Sequence, residues 1–204
     1  MEPTRRHDRR IQRLIKMAAF PQSATLEDLD LSASRGLERR FVLELAQDNW
    51  IDQHLNTLVF GPTGSGKSFL SCALGPSACR TNHYVRYFRT SRLLFQFAQS
   101  HLDGSFHALL TSLAKIDLLI LDDWMRDPIS VSETRDLLEI LDDRFGRVST
   151  LVASQVPVGE WFQRFPDPTH ADAILDRIIH NAYRLNLTGD SQRKVRSTIP
   201  MSST

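Results

Sequence analysis

The run Leu58-Val59-Phe60-Gly61-Pro62-Thr63-Gly64-Ser65-Gly66-Lys67-Ser68 decides how this chain is read. Leu58 to Phe60 is a short apolar strand, and Ser68 to Arg80 reads as a helix broken or bent at Pro76. Between them the pattern G-x-x-x-x-G-K-[ST] is satisfied at every fixed position. The glycines permit torsions that turn backbone N–H groups inward into an anion nest. The helix that follows adds the positive end of its dipole. On this reading Gly61, Pro62, Thr63, Gly64, Ser65, Gly66, Lys67, Ser68 and Phe69 surround a nucleotide polyphosphate. Lys67 reaches the β- and γ-phosphates, and the Ser68 hydroxyl ligates Mg²⁺. The competing reading is a chance match in a glycine-containing turn, and the flanking strand and helix weigh against it.

Downstream, Leu118-Leu119-Ile120-Leu121-Asp122-Asp123 is an apolar strand ending in two acids. It places a carboxylate at the carboxyl edge of a buried parallel strand, where nucleotides sit in such sheets. Asp122 is expected to hold Mg²⁺ through water, and Asp123 to polarise the attacking water as general base. Another strand, Tyr84 to Phe88, lies between Lys67 and Asp122. That inserted strand and the adjacent second acid favour ATP hydrolysis coupled to motion over phosphoryl transfer to a metabolite. A further strand, Thr150 to Ala153, ends in Ser154-Gln155, either of which suits sensing the γ-phosphate or positioning water. Arg177, on the otherwise apolar Ile174-Leu175-Asp176-Arg177-Ile178, suits a finger reaching a neighbour's nucleotide, or equally a salt bridge to Asp172, Asp176 or another acid.

The remaining segments read as helices at 5–19, ended by Pro21, then 36–48, 91–101, 105–114, 131–145, 157–164 and 170–181, with a last strand at 183–187. Strands alternating with helices imply a parallel sheet covered on both faces. The chain has 204 residues, with 41% hydrophobic and 24% charged residues, the composition of one globular domain with a small appendage. Cys72 and Cys79 fall in one helix, which excludes a disulfide framework and points to a reducing compartment. With no apolar run of membrane-spanning length and no secretory signal, a cytoplasmic protein without membrane contact is expected. The seven histidines show no metal-ligand spacing, and Trp50, Trp124 and Trp161 read as packing residues.

The formal net charge of +1 conceals segregation. Residues 1–16 carry Arg5, Arg6, Arg9, Arg10, Arg13 and Lys16 against Glu2 and Asp8, whereas residues 117–143 carry nine acids against Arg126 and Arg135. The end from Arg184 onward is basic again. Basic ends suit a polyanion, or are simply solvated surface.

This combination resembles the IstB-like ATP-binding proteins, helper ATPases of IS21-type insertion sequences. They are AAA+ proteins close to the helicase loader DnaC and the initiator DnaA. The stretches that carry the resemblance are Thr25 to Asp30, the phosphate loop, Asp117 to Asp123 and Ser154 to Pro157. The most specific are Asp167-Pro168-Thr169-His170-Ala171-Asp172-Ala173-Ile174-Leu175-Asp176-Arg177 and Gly189 to Lys194. The resemblance implies an α/β, three-layer P-loop NTPase of AAA+ type. Its parallel sheet has the order 5-1-4-3-2 and follows a small helical N-terminal region. It divides the chain into 1–48 (helices and linker), 49–190 (ATPase core) and 191–204 (a basic, flexible tail). It implies ATP and Mg²⁺ as cofactors, assembly into oligomers on double-stranded DNA, and a transposase as partner. Lys67 and Asp123 then act in catalysis, Ser154 as sensor and Arg177 as finger. The N-terminal helix and Arg193-Lys194 become candidates for DNA or transposase contacts, and residues near Leu29 and Leu31 for adenine. The chain departs from the family in two places. It is expected to start inside the family's longer N-terminal region, and Trp124 to Pro128 lacks the glycine usual there. The alternatives are a DnaC-type helicase loader, a small-molecule kinase, for which no arginine-bearing lid is visible, and a non-hydrolysing ATP-binding scaffold.

Overall fold

The computed structural model describes residues 2–31 and 36–189. In chain order the elements are α1 (Glu2–Ala18), α2 (Arg39–Leu45), α3 (Asn49–Asp52), β1 (Asn56–Phe60), α4 (Lys67–Arg80), β2 (Val85–Arg89) and α5 (Thr90–Asp103). There follow α6 (Phe106–Ala114), β3 (Leu118–Asp122), α7 (Val131–Arg144), β4 (Ser149–Ser154), α8 (Pro168–Ile179) and β5 (Ala182–Asn186). The strands form one parallel sheet in the order β2-β3-β4-β1-β5. This is the expected three-layer arrangement, with β1 set between β4 and β5.

Because helices cover both faces, the inner strands β1, β3 and β4 are buried on both sides rather than alternating. The pleat still sorts them. Val59, Tyr87, Leu118, Ile120, Leu151 and Ala153 pack with α1 to α4. Leu58, Phe88, Leu119, Leu121 and Val152 pack with α5 to α8. The N-terminal region shares the first of these cores through Leu14, Ala18, Ala24, Leu37, Val42 and Leu45. α1 buries Leu14 and Ala18 and leaves Arg6, Arg9, Arg10, Arg13 and Lys16 exposed. Its C-terminal turn is held by Arg86 of the edge strand β2, whose guanidinium donates to Met17 O at 2.8 Å.

Several local readings are corrected. Pro76 does not break α4, which runs unbroken from Lys67 to Arg80. Gly75 beside it lets Phe20 press against the helix, where an added Cβ would lie 2.3 Å from the Phe20 ring. α1 ends at Ala18, where Ala19 takes φ 59°, two residues before Pro21. The stretch 36–48 is shorter as a helix than expected, because Asp48 turns left-handed (φ 58°) and starts α3. Residues 157–164 hold two single 3₁₀ turns, Val158–Glu160 and Phe162–Arg164, instead of one helix. Trp161 is anchored between these turns, its indole N–H donating to Val156 O.

The amino end of the sheet is closed by side chains that serve the main chain. Arg144 is 1% exposed. Its guanidinium donates to the carbonyls of Leu113 and Ile116 at 2.6 and 2.8 Å, to that of Ser149, and to the Thr150 hydroxyl. Asn56 donates to Arg177 O at 2.9 Å and accepts from Thr150 N at 2.9 Å. The expected boundaries at 48 and 190 and the tail at 191–204 concern segments partly or wholly outside the described residues.

Candidate nucleotide site

The site lies at the carboxyl ends of the strands. Gly61 leaves β1 with φ +150°, and an added Cβ would sit 2.2 Å from Leu187 O. The segment after β5 presses on the loop there, with Leu187 N donating to Phe60 O at 2.7 Å. Only glycine fits such an approach. Ser65 N closes the turn on Pro62 O at 3.2 Å, and Gly66 (φ 101°) caps the start of α4. The helix therefore opens directly at the loop with its amino-terminal N–H groups toward it. The Lys67 ammonium curls back over the loop and donates to Gly61 O and Pro62 O, both at 2.8 Å. It spans the concave side of the expected phosphate cradle.

Asp122 closes the site from the neighbouring side. It follows Leu118 and Ile120 in alternation on β3, so it projects on the face that α4 covers. Cys72 of α4 is close enough to feel its charge: burial, then Asp122, push the Cys72 thiol up to about 11. Ser68 stands four residues before Cys72, hence on the same helix face one turn nearer the loop. A hydroxyl and a carboxylate thus share the corner between α4 and β3. These are hard oxygen donors suited to Mg²⁺, which takes one or two carboxylates beside phosphate oxygens. Asp122 is 3% exposed. Its Oδ1 accepts from Asp123 N at 2.9 Å, and its Oδ2 accepts from the Tyr87 hydroxyl. Burial and the Asp122 charge hold the Tyr87 phenol far above its ordinary range, so it remains a donor.

Asp123 turns out of the strand with φ 55°. Its carboxylate is one-third exposed, 3.3 Å from Arg126 and 4.0 Å from Arg89. Met125 also takes a left-handed backbone, φ 52°. The loop thus keeps a turn that glycine would adopt without strain, and the buried Met125 and Trp124 hold it in place.

The third strand tip places its two polar residues differently. Ser154 is buried, its hydroxyl donating to Trp124 O at 2.6 Å and accepting from Val156 N at 3.1 Å. It ties the acid-bearing turn to β4. Gln155 is exposed and reaches the phosphate loop, where its Oε1 accepts from the Thr63 hydroxyl at 2.6 Å. Arg177 lies elsewhere. Asn56, at the start of β1, binds its carbonyl, and its side chain pairs with Asp142 of α7 and with Ala173 O. β1 runs between Arg177 and the loop, roughly 13–16 Å of strand. Lys67 and Ser68 thus open α4 at the loop, Asp122 ends the strand β3 with Asp123 next to it, and Arg177 stands apart at the other end of β1.

The sequence pattern of the IstB-like ATP binding protein family matches residues 1–199. The chain belongs to this family. The ATP-binding protein y4pL of Sinorhizobium fredii, named for an insertion sequence, is 44% identical over 189 residues, covering 93% of this chain and 77% of its own. Among solved structures, AMPPCP-bound DnaA from Aquifex aeolicus superposes with TM-score 0.70 at 17% identity, over 87% of this chain and 54% of that one. The DnaC helicase loader superposes with TM-score 0.68 at 15% identity, over 83% and 98%. These likenesses establish the AAA+ P-loop fold of this IstB-like protein.

Sequence reasoning missed Tyr87, Arg89 and Arg126 around the acid pair. Tyr87 carries the one usable signal, since it precedes by two the residue that pairs with Asp122. That register is not visible before the strands are aligned. Among the described residues no three His, Cys, Asp or Glu side chains gather as a metal cluster. No described helix is long and apolar enough to cross a membrane.

Proposed function

We propose that this IstB-like protein is a DNA-binding AAA+ ATPase that helps a transposase select and engage target DNA, assembling and hydrolysing ATP as it does so. The observation that carries the reading is the position of the Lys67 ammonium over the loop carbonyls at the start of α4. An incoming triphosphate replaces the two carbonyls as acceptors for Lys67, and the loop N–H groups surround the β-phosphate. Ser68 and Asp122 would hold Mg²⁺, Asp122 through water. The ion, when bound, neutralises charge developing on the phosphoryl oxygens. Asp123 takes the proton of the attacking water. Its exposed partners Arg126 and Arg89 hold it only weakly, since such pairs are worth about 1 kcal/mol or less. Exchanging Arg126 for water is therefore cheap. Gln155, bound to the loop through Thr63, is better placed than the enclosed Ser154 hydroxyl to respond to a γ-phosphate. Ser154 then acts by fixing the turn that presents Asp123.

Arg177 sits too far from its own loop to serve it. It acts on a neighbour's nucleotide in an oligomer, leaving Asp142 to do so. The exposed Arg6, Arg9, Arg10, Arg13 and Lys16 of α1 form a basic face for duplex phosphates. Arg193-Lys194 lies outside the described residues. A DnaC-type helicase loader is the second reading, favoured by the shared fold. The 44% identical relative named for an insertion sequence favours the transposition helper.

The test is the ATPase rate with and without duplex DNA, alongside sizing of the complex. Stimulation by DNA with growth in size supports the proposal, and DNA binding should fall steeply with salt. Asp123→Asn should bind ATP yet lose turnover; retained hydrolysis would remove Asp123 as the base. Co-purification with a hexameric helicase, and no response to duplex DNA, would favour the loader.

A further inference from the structure

Tyr87 has no part in the phosphate cradle, yet it grips the residue on which the metal assignment depends. On β2 it lies two residues before Arg89, the register partner of Asp122 on β3. Partners in a parallel pair project to the same side, and so do residues two apart. Tyr87 and Asp122 therefore point together into the layer under α4, and the phenol O–H donates to Asp122 Oδ2. Three donors converge on this residue. Tyr87 takes one carboxylate oxygen, Asp123 N takes the other at 2.9 Å, and the Thr90 hydroxyl takes the main-chain carbonyl at 3.0 Å. With one donor on each oxygen, the carboxylate plane is set. Each oxygen accepts a second hydrogen bond, so both remain able to receive metal-bound water.

The donor is itself fixed. Tyr87 is 6% exposed, and Phe20 meets its ring edge-on at 6.4 Å. Phe20 in turn sits where any side chain on Gly75 would stand. A phenylalanine at position 87 would fill the same apolar space. The hydroxyl serves only Asp122.

We propose that Tyr87 is a positioning residue for the metal-holding carboxylate, setting the orientation of Asp122 through its hydroxyl without touching nucleotide or metal. This rests on the assignment of Asp122 to Mg²⁺ made above. Partners that orient a ligating group typically change metal affinity or activity by about 10–100-fold when removed.

The experiment titrates MgCl₂ into full-length protein equilibrated with a fluorescent ATP analogue in EDTA. Tyr87→Phe should bind the analogue without Mg²⁺ as wild type does, because the loop and Lys67 are intact. It should need about tenfold more Mg²⁺ for half-maximal enhancement. Excess Mg²⁺ should restore hydrolysis, which a general loss of packing would not allow. Asp122→Asn serves as reference and should also raise the Mg²⁺ demand. The double variant should be no worse than Asp122→Asn alone, since Tyr87 acts through that carboxylate. If Asp122→Asn raises the demand and Tyr87→Phe leaves it unchanged, the positioning role is overturned while the metal site stands. If Asp122→Asn itself changes nothing, the metal assignment fails and this role with it. An additive double variant also overturns action through Asp122. Should Tyr87→Phe not fold, Phe20→Leu, which keeps the hydroxyl but loosens the ring, should shift the demand in the same direction, and no shift would count against the proposal.

Discussion

The two ends of the sheet each hold a cation on main-chain carbonyls, and they hold it to opposite effect. At the amino end Arg144 is enclosed, with Leu113, Ile116 and Ser149 carbonyls and the Thr150 hydroxyl around it. Burial pushes its guanidinium down to about 9, although the Asp117 charge opposes this. At the carboxyl end Lys67 rests on Gly61 and Pro62 in a half-buried loop that opens to solvent. The contacts look alike on paper. What separates them is exchange: solvent or phosphate can replace the carbonyls of Lys67, whereas nothing can replace those of Arg144. The first end fixes the fold, and the second is prepared for a ligand.

The largest effect expected from this contrast is on stability. Arg144→Met should lose about 3 kcal/mol or more in urea unfolding, because the Leu113, Ile116 and Ser149 carbonyls lose a charged donor at about 1–3 kcal/mol each, partly offset by removal of a buried charge. Lys67→Ala should change unfolding by less than about 1 kcal/mol. Equal losses would erase the distinction between the two ends.

A second, pH-dependent effect belongs to Asp48, near the amino end of the sheet. It is 1% exposed and accepts from the Thr81 hydroxyl at 3.0 Å. Burial raises its carboxyl from 3.8 to about 6, against the lowering influence of Thr81 and His83, with Asp52 adding to the rise. The charged form is the one the fold disfavours. Its contribution is therefore fully present below pH 3.8 and is lost as pH rises through about 6. At neutral pH that amounts to at most about 3 kcal/mol. Asp48→Asn should raise the melting temperature at about pH 7.5, less so at about pH 4.5, and have little effect near about pH 3.5, asparagine also tolerating the left-handed backbone. A variant less stable at both pH values would contradict this.

The smallest effect on the isolated chain, and the one that bears most on assembly, is that of Arg177. Its pair with Asp142 is partly exposed, so Arg177→Ala should cost about 1 kcal/mol or less in stability. ATP binding should stay near normal while hydrolysis stops in the assembled state. Mixed with Lys67→Ala subunits, it should recover activity; failure to complement would argue against action across subunits.

The fold was legible because its two decisive signals are local. A strand, a glycine turn and a helix fit inside Leu58 to Arg80, and Leu118 to Asp123 carries its own chemistry. Lys67, Ser68 and Asp122 could be named for that reason. What could not be read depends on contacts distant in sequence. The partner of Arg177 is Asp142, thirty-five residues away, and the link from Gln155 to Thr63 spans ninety-two. Tyr87 looks like any strand aromatic until β2 is set in register with β3. Pro76 misled for a related reason, since close packing of Phe20 on Gly75 supports a helix that local rules would interrupt. The enclosure of Ser154 and the exposure of Gln155 are likewise invisible in the sequence, because only the turn at Trp124 shows which of the two faces inward.

The central claim is that the loop from Gly61 to Ser68 grips a triphosphate with Lys67. Equilibrium binding of ATP with Mg²⁺ to the wild type and to Lys67→Ala tests it most directly. Loss of two charge-assisted hydrogen bonds should weaken binding at least about 100-fold, with the fold preserved. Unchanged affinity in a folded Lys67→Ala protein would contradict the account.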